Sequence, residues 1–142
     1  MSAVIHQDHL RDAWLQRLGA LIDQVQQWAS ELDLPTRVIQ VNLKDPELGK
    51  YQASALLIQD GGVKMLLEPI APSAHDADGV VDLYLMPSYD DIASLYLVGG
   101  KWMMHYMFPD EPTVGNIREA NGLVLTKESF QSVLEALKCH SV

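Results

Sequence analysis

The densest group of potential metal ligands in this sequence is the segment His75-Asp76-Ala77-Asp78-Gly79. Carboxylates one residue apart before a glycine are typical of the start of a calcium-binding loop. Such a loop closes with a glutamate at its twelfth position, and counting from Asp76 that position is Pro87. Because the ligand pattern is incomplete and the segment has the composition of a turn, we predict no metal site and no cofactor.

Two other groups of residues could support acid–base or nucleophilic chemistry. Tyr89-Asp90-Asp91 offers paired acids, which could act as base and acid. His105 is predicted to lie opposite Ser94 in a hairpin, a pairing that a hydrolase could use. No strand–turn–helix motif exposes Ser94, so we favour a structural polar pair and predict no catalytic residue. The alternative is a small enzyme or ligand-binding domain with a pocket near His105, Tyr89, Asp90 and Asp91.

Charge and composition exclude several classes of function. The 142 residues include 19 acids and 10 Lys or Arg, which gives a net charge of −9. This balance argues against binding to nucleic acid or to an anionic membrane, since both need positive surface. No apolar run is long enough to span a bilayer, and the first residues lack the pattern of a signal peptide. With Cys139 as the single cysteine, no intrachain disulfide can form, and we expect a cytoplasmic protein.

The clearest predicted element is a long amphipathic helix from Asp8 to Asp33, with Asp8 as its N-cap. Its end is expected at Leu34-Pro35, since the residue before a proline avoids the helical region. The helix belongs to one domain that covers residues 1–142, because 142 residues is the usual size of a single domain. Apolar residues recur at alternating gaps of four and three, the spacing of one helical face: Leu10, Trp14, Leu18, Leu21, Val25, Trp28 and Leu32.

The pattern in the middle of the chain predicts about six short strands, mostly antiparallel. Asp60-Gly61-Gly62 and Gly99-Gly100 each predict a tight hairpin. A short helix capped by Thr126 closes the chain, so we predict an α+β fold with both helices packed on the sheet. The predicted strands are Arg37–Leu43, Tyr51–Ile58, Val63–Ile70, Val80–Met86, Ile92–Val98 and Lys101–Phe108.

Both faces of the predicted sheet carry apolar residues, although a solvated face would be mainly polar. The long helix can cover one face. The C-terminal helix, the loop 109–122 or a second subunit must then cover part of the other. We predict a homodimer, or binding of another protein, through apolar residues of the last hairpin: Ile92, Tyr96, Val98, Met103 and Met107.

In size, acidity and helix–strands–helix order, the chain resembles small dimeric secretion chaperones of bacteria and toxin-neutralising immunity proteins. The chaperones carry a helix between their strand groups, and here the segment 71–79 is too short and too rich in turn residues to form one. The resemblance implies a non-enzymatic protein-binding module, such as an adaptor, a secretion chaperone or an immunity protein. We take this as the more favoured of the two functions, ahead of the enzyme.

Overall fold

The computed structural model describes residues 2–74, 76–87, 92–106 and 123–139. The predicted α+β class is confirmed, with two helices and an antiparallel sheet of seven strands where the sequence predicted about six. The additional strand is a two-residue segment that pairs with the last strand of the second hairpin. The elements are α1 (Ser2–Glu31), β1 (Thr36–Asp45), β2 (Gly49–Asp60), β3 (Val63–Ala71), β4 (Val80–Leu85), β5 (Ile92–Val98), β6 (Lys101–His105), β7 (Leu123–Val124) and α2 (Lys127–Cys139).

Helix α1 begins earlier than its sequence pattern predicted. Asp8 is not the N-cap but lies inside the helix, where its carboxylate is 3.3 Å from the Arg11 guanidinium. The helix ends with Asp33 in the left-handed region, at φ 61°. The N–H groups of Asp33 and Leu34 donate to the carbonyls of Ser30 and Ala29, which is the Schellman pattern that satisfies the last carbonyls of a helix.

The seven strands form a simple meander, in which each strand pairs with the next along the chain. Gly99 and Gly100 both have positive φ, as a two-residue turn between right-twisted strands requires. This turn sets the β5–β6 register as predicted, with Ser94 opposite His105 and Tyr96 opposite Met103. The hairpin turns therefore decide which residues share each face of the sheet.

Both helices pack on the same face of the sheet, which we call the helix face. The ring centroids of Trp28 in α1 and Phe130 in α2 are 5.8 Å apart. An ion pair of 2.7 Å also joins Lys127 of α2 to Glu31 of α1. Four apolar residues of α2 are buried in the main core: Phe130, Val133, Leu134 and Leu137. Because α2 lies beside α1, it is excluded as the cover of the other face.

Trp14 is fully buried on the helix face, near the starts of β2 and β4. Its indole N–H donates to the Tyr51 hydroxyl at 3.0 Å, and its ring lies against Gly79, where a Cβ would come within 2.6 Å of Cζ3. Tyr51 is in β2 and Gly79 precedes β4, so one side chain joins parts of the sheet that β3 separates. Trp28 belongs to the same predicted apolar face of α1 but is only partly buried, since it lies in the last turn of α1 against Phe130.

Candidate functional site

The candidate site is the face of the sheet that is turned away from both helices, which we call the second face. Directly paired residues of an antiparallel sheet share a face, so the register assigns its side chains to three rows that run across the strands. The first row is mainly apolar, the second is polar and the third is apolar. In the part of the chain that the structure describes, no helix lies over these rows.

The first row crosses β2 to β5 and contains Leu57, Leu66, Tyr84 and Ile92. Leu66 and Tyr84 are buried together with Ala55, in a cluster separate from the main core. Ile92, one of the predicted interface residues, is only partly buried at the margin of this cluster. The first row is therefore largely shielded from water, unlike the third.

The polar row contains Glu68, Asp82, Ser94 and His105, which are cross-strand neighbours on four successive strands. The Ser94 hydroxyl donates to Asp82 Oδ1 at 3.1 Å, and the Tyr84 hydroxyl donates to Glu68 Oε1 at 3.3 Å. Burial raises the pKa of the Tyr84 hydroxyl, and the negative charge of Glu68 raises it further. Each of the two carboxylates in this row therefore accepts a hydrogen bond from a neighbouring hydroxyl group.

The enzyme alternative depends on the contacts that His105 and Ser94 make. The His105 ring stacks on Tyr96 at a centroid distance of 4.8 Å. The hydroxyl of Ser94 is directed to Asp82, and no hydrogen bond joins Ser94 to His105 within the described residues. A nucleophilic serine needs its base within hydrogen-bonding reach, which this arrangement does not provide. The other predicted pocket residues, Tyr89, Asp90 and Asp91, lie outside the described residues.

The third row crosses β4 to β7 and is apolar: Val80, Tyr96, Met103 and Val124. With Val98, which follows on the same side of β5, these residues form what we call the apolar patch. Val98 is 46% exposed and Val124 48% exposed, whereas Tyr96 and Met103 are partly buried. Water therefore reaches apolar side chains along the outer half of the second face.

Four of the five predicted interface residues lie on the second face, namely Ile92, Tyr96, Val98 and Met103. The fifth, Met107, is outside the described residues. Sequence reasoning missed Val124, because a strand of two residues is too short to produce an alternating pattern. The only available signal was the apolar run Leu123-Val124-Leu125 before the Thr126 cap.

The segment that offered metal ligands forms a tight turn. Ala74 and Ala77 exchange backbone hydrogen bonds of 3.1 and 3.0 Å, and Asp76 between them has a positive φ of 65°. His75 lies outside the described residues. Across the described ranges, no three His, Cys, Asp or Glu side chains come together as a metal site.

Comparison with known proteins gives no family for this chain. It matches no protein-family model, and no curated protein or solved structure is significantly similar to it. None of the helices in the described ranges is long and apolar enough to cross a membrane.

Proposed function

We propose that this chain is a non-enzymatic protein-binding module that binds a partner protein through the apolar patch of the second face. One observation carries the proposal. Both helices pack on the helix face, so no described helix covers the patch, and Val98 and Val124 remain nearly half exposed. Contiguous exposed apolar surface of this kind marks protein interaction sites.

The residue types of the patch support the same proposal. Tyr96 offers a large, rigid ring with a polar tip, and tyrosine is enriched at protein interfaces. Met103 is flexible and polarisable, so it can adapt to the shape of a partner. Lys101, which pairs with Val98, and His105 border the patch and provide the polar rim that most interfaces have.

The role that fits such a module is that of an adaptor, a secretion chaperone or an immunity protein, all of which bind another protein. The proposal includes a cytoplasmic location. Its support is the free, exposed thiol of Cys139, which is typical of a reducing compartment.

Photo-crosslinking from single positions tests this function. A benzophenone amino acid is introduced at Val98 or Val124 in cells of the source organism, with Glu135 on the exposed side of α2 as the matched control position. We expect one discrete adduct from the two patch positions and none from Glu135. The same adduct should be lost when Met103→Asp is added, because a carboxylate would be desolvated in the interface.

Two outcomes would contradict the proposal. The first is the absence of any adduct from Val98 and Val124. The second is an adduct that forms equally from Glu135 or survives Met103→Asp, since neither result depends on the patch.

The enzyme alternative stays a prediction, with a pocket near His105, Tyr89, Asp90 and Asp91. Its one structural support is the polar row, where Asp82 lies buried beside Ser94. We place it second because no hydrogen bond joins Ser94 to His105 in the described structure. Ser94 is hydrogen-bonded to Asp82, and His105 stacks on Tyr96.

A further inference from the structure

The edge of the sheet that β1 forms lies on the opposite side from the apolar patch. It has the features of a strand that pairs with another chain. Among the described strands β1 has one neighbour, β2, so only one side of its backbone is paired within the sheet. The strand is ten residues long, and its register with β2 runs from Thr36 to Asp45 without a bulge. Long, regular edges of this kind are templates for strand addition.

The direction of the backbone groups in β1 follows from one hydrogen bond. The N–H of Gln59 donates to the carbonyl of Pro35 at 2.9 Å, and these residues continue the β1–β2 register by one pair. They therefore form a hydrogen-bonded pair, and such pairs alternate along an antiparallel ladder. The odd-numbered residues of β1 thus face β2, and the even-numbered residues from Thr36 to Lys44 direct their N–H and C=O groups outward.

We propose that a second copy of this chain pairs with this edge, β1 against β1, antiparallel about a two-fold axis at Val41. In this register Gln40 pairs with Asn42 of the second copy and Val38 with its Lys44, through the outward-directed backbone groups. Between these pairs, Val41 meets its own equivalent and Ile39 lies opposite Leu43. Two-fold symmetry is the commonest arrangement of closed homo-oligomers, and an antiparallel pair of identical edges satisfies it.

Charge selects this register. It places Arg37 of each copy opposite Asp45 of the other, so that two opposite-charge pairs close the ends of the new ladder. Asp45 is held in place for this role, because its Oδ2 already accepts the N–H groups of Glu47 and Leu48 at 2.8 and 3.0 Å.

Neighbouring registers lose these pairs. A shift of the second copy by two residues sets Arg37 opposite Leu43 in one direction. In the other direction it sets Asp45 opposite Ile39, and Arg37 then faces Glu47, which lies in the turn beyond the end of β1. A shift by a single residue would place the second face of one copy beside the helix face of the other. The favoured register thus aligns both charges and faces.

In the dimer the apolar patches of the two copies would lie on the same side of one continuous sheet. Its two-fold axis is perpendicular to the sheet, so both second faces point the same way and join across β1. The pairing does not depend on the proposed function. A monomer would still leave the patch available for a partner. The cross-linking experiment detects contacts at the patch and not at β1.

Charge reversal combined with light scattering tests the pairing. Size-exclusion chromatography with light scattering at micromolar concentration should give the wild-type protein a mass of about 32 kDa, twice the 15.8 kDa of one chain. Arg37→Glu and Asp45→Lys should each raise the dimer dissociation constant at least tenfold. Lys64→Glu is the matched control, because it reverses an exposed charge on the interior strand β3 and should leave the dimer intact.

An equimolar mixture of Arg37→Glu and Asp45→Lys keeps the measurement decisive even if one variant loses stability. A heterodimer of the two restores an opposite-charge pair at both ends, so the mass should return to that of a dimer. A wild-type mass near 16 kDa that does not rise with concentration would overturn the proposal. A dimer that Arg37→Glu weakens no more than Lys64→Glu would also overturn it, since the interface would then lie elsewhere.

Discussion

Met103 and Met104 are consecutive residues of β6, yet they belong to opposite faces of the sheet with different physical roles. Met104 is fully buried under the helices, while Met103 lies in the apolar patch and is partly exposed. In the described part of the chain, the helix-face core contains twenty buried apolar residues and the separate second-face cluster contains three. The difference indicates that one face holds the fold together, while the outer half of the other keeps apolar side chains partly in water.

The largest expected effect is the loss of Trp14 from the helix face. Trp14→Ala should destabilise the protein by about 3–5 kcal/mol, because it leaves a large cavity and removes the hydrogen bond to Tyr51. Trp28→Ala should cost clearly less, since Trp28 is only partly buried. Urea unfolding followed by circular dichroism compares the two variants. Equal losses would mean that the fully buried Trp14 contributes no more to stability than the partly buried Trp28.

The two methionines give the most direct comparison of the faces. Met104→Ala should cost about 2–5 kcal/mol, as truncations in a closed core do. Met103→Ala should change the free energy of unfolding by less than about 1 kcal/mol, because its side chain is already partly in water. The pair is matched in residue type, strand and substitution. A larger loss at Met103 than at Met104 would reverse the roles assigned to the two faces.

A smaller effect is expected where a methyl group is added under Trp14. Gly79→Ala should cost about 1–3 kcal/mol, because the new Cβ would lie 2.6 Å from the indole and the ring would have to move. Gly62→Ala is the matched control: a Cβ there would have no atom within 4 Å, and the φ of Gly62 is not in the left-handed region. Thermal unfolding of the two variants measures the difference. Similar melting temperatures would contradict the close packing of Trp14 on Gly79.

The smallest effect concerns alkaline pH. Burial raises the pKa of Tyr51 and of Tyr84, and nearby carboxylates raise it further, although the Trp14 N–H opposes this at Tyr51. A raised pKa in the folded state gives stability that is complete below the unfolded value of about 10 and is lost as the pH rises through the folded value. The free energy of unfolding should therefore fall above about pH 10, and less steeply in Tyr84→Phe. An unchanged slope in that variant would contradict the shielding of Tyr84 on the second face.

Much of the fold could be predicted from the sequence because local patterns determine it. The alternation from Ile92 to Val98 and the Gly99-Gly100 turn fix the β5–β6 register, and Thr126 caps α2 with a 3.1 Å hydrogen bond from the Ser129 N–H. The start of α1 was placed wrongly because Asp8 has the residue type of an N-cap, whereas the helix extends back to Ser2 and holds Asp8 in its interior. Local pattern has no such ambiguity at a two-glycine turn.

The candidate site was only partly predictable, because it depends on packing between distant segments. The sequence showed apolar residues on both sides of the last hairpin but not that α2 would lie beside α1 instead of across the sheet. The contact between Trp28 and Phe130, which lie in helices at opposite ends of the chain, decides that placement. Likewise, the row that joins Glu68 to His105 requires the order of four strands, which no local pattern supplies.

The division of roles between the two faces is tested most directly by one variant measured in two ways. Met103→Asp should unfold in urea with a free energy close to that of the wild-type protein, since a carboxylate at this partly exposed position stays hydrated. The same variant should lose the cross-linked adduct from Val98. A variant that unfolds as readily as Met104→Ala would contradict the account, because Met103 would then belong to the core. So would a stable variant that keeps the adduct, because the patch would then not be the binding surface.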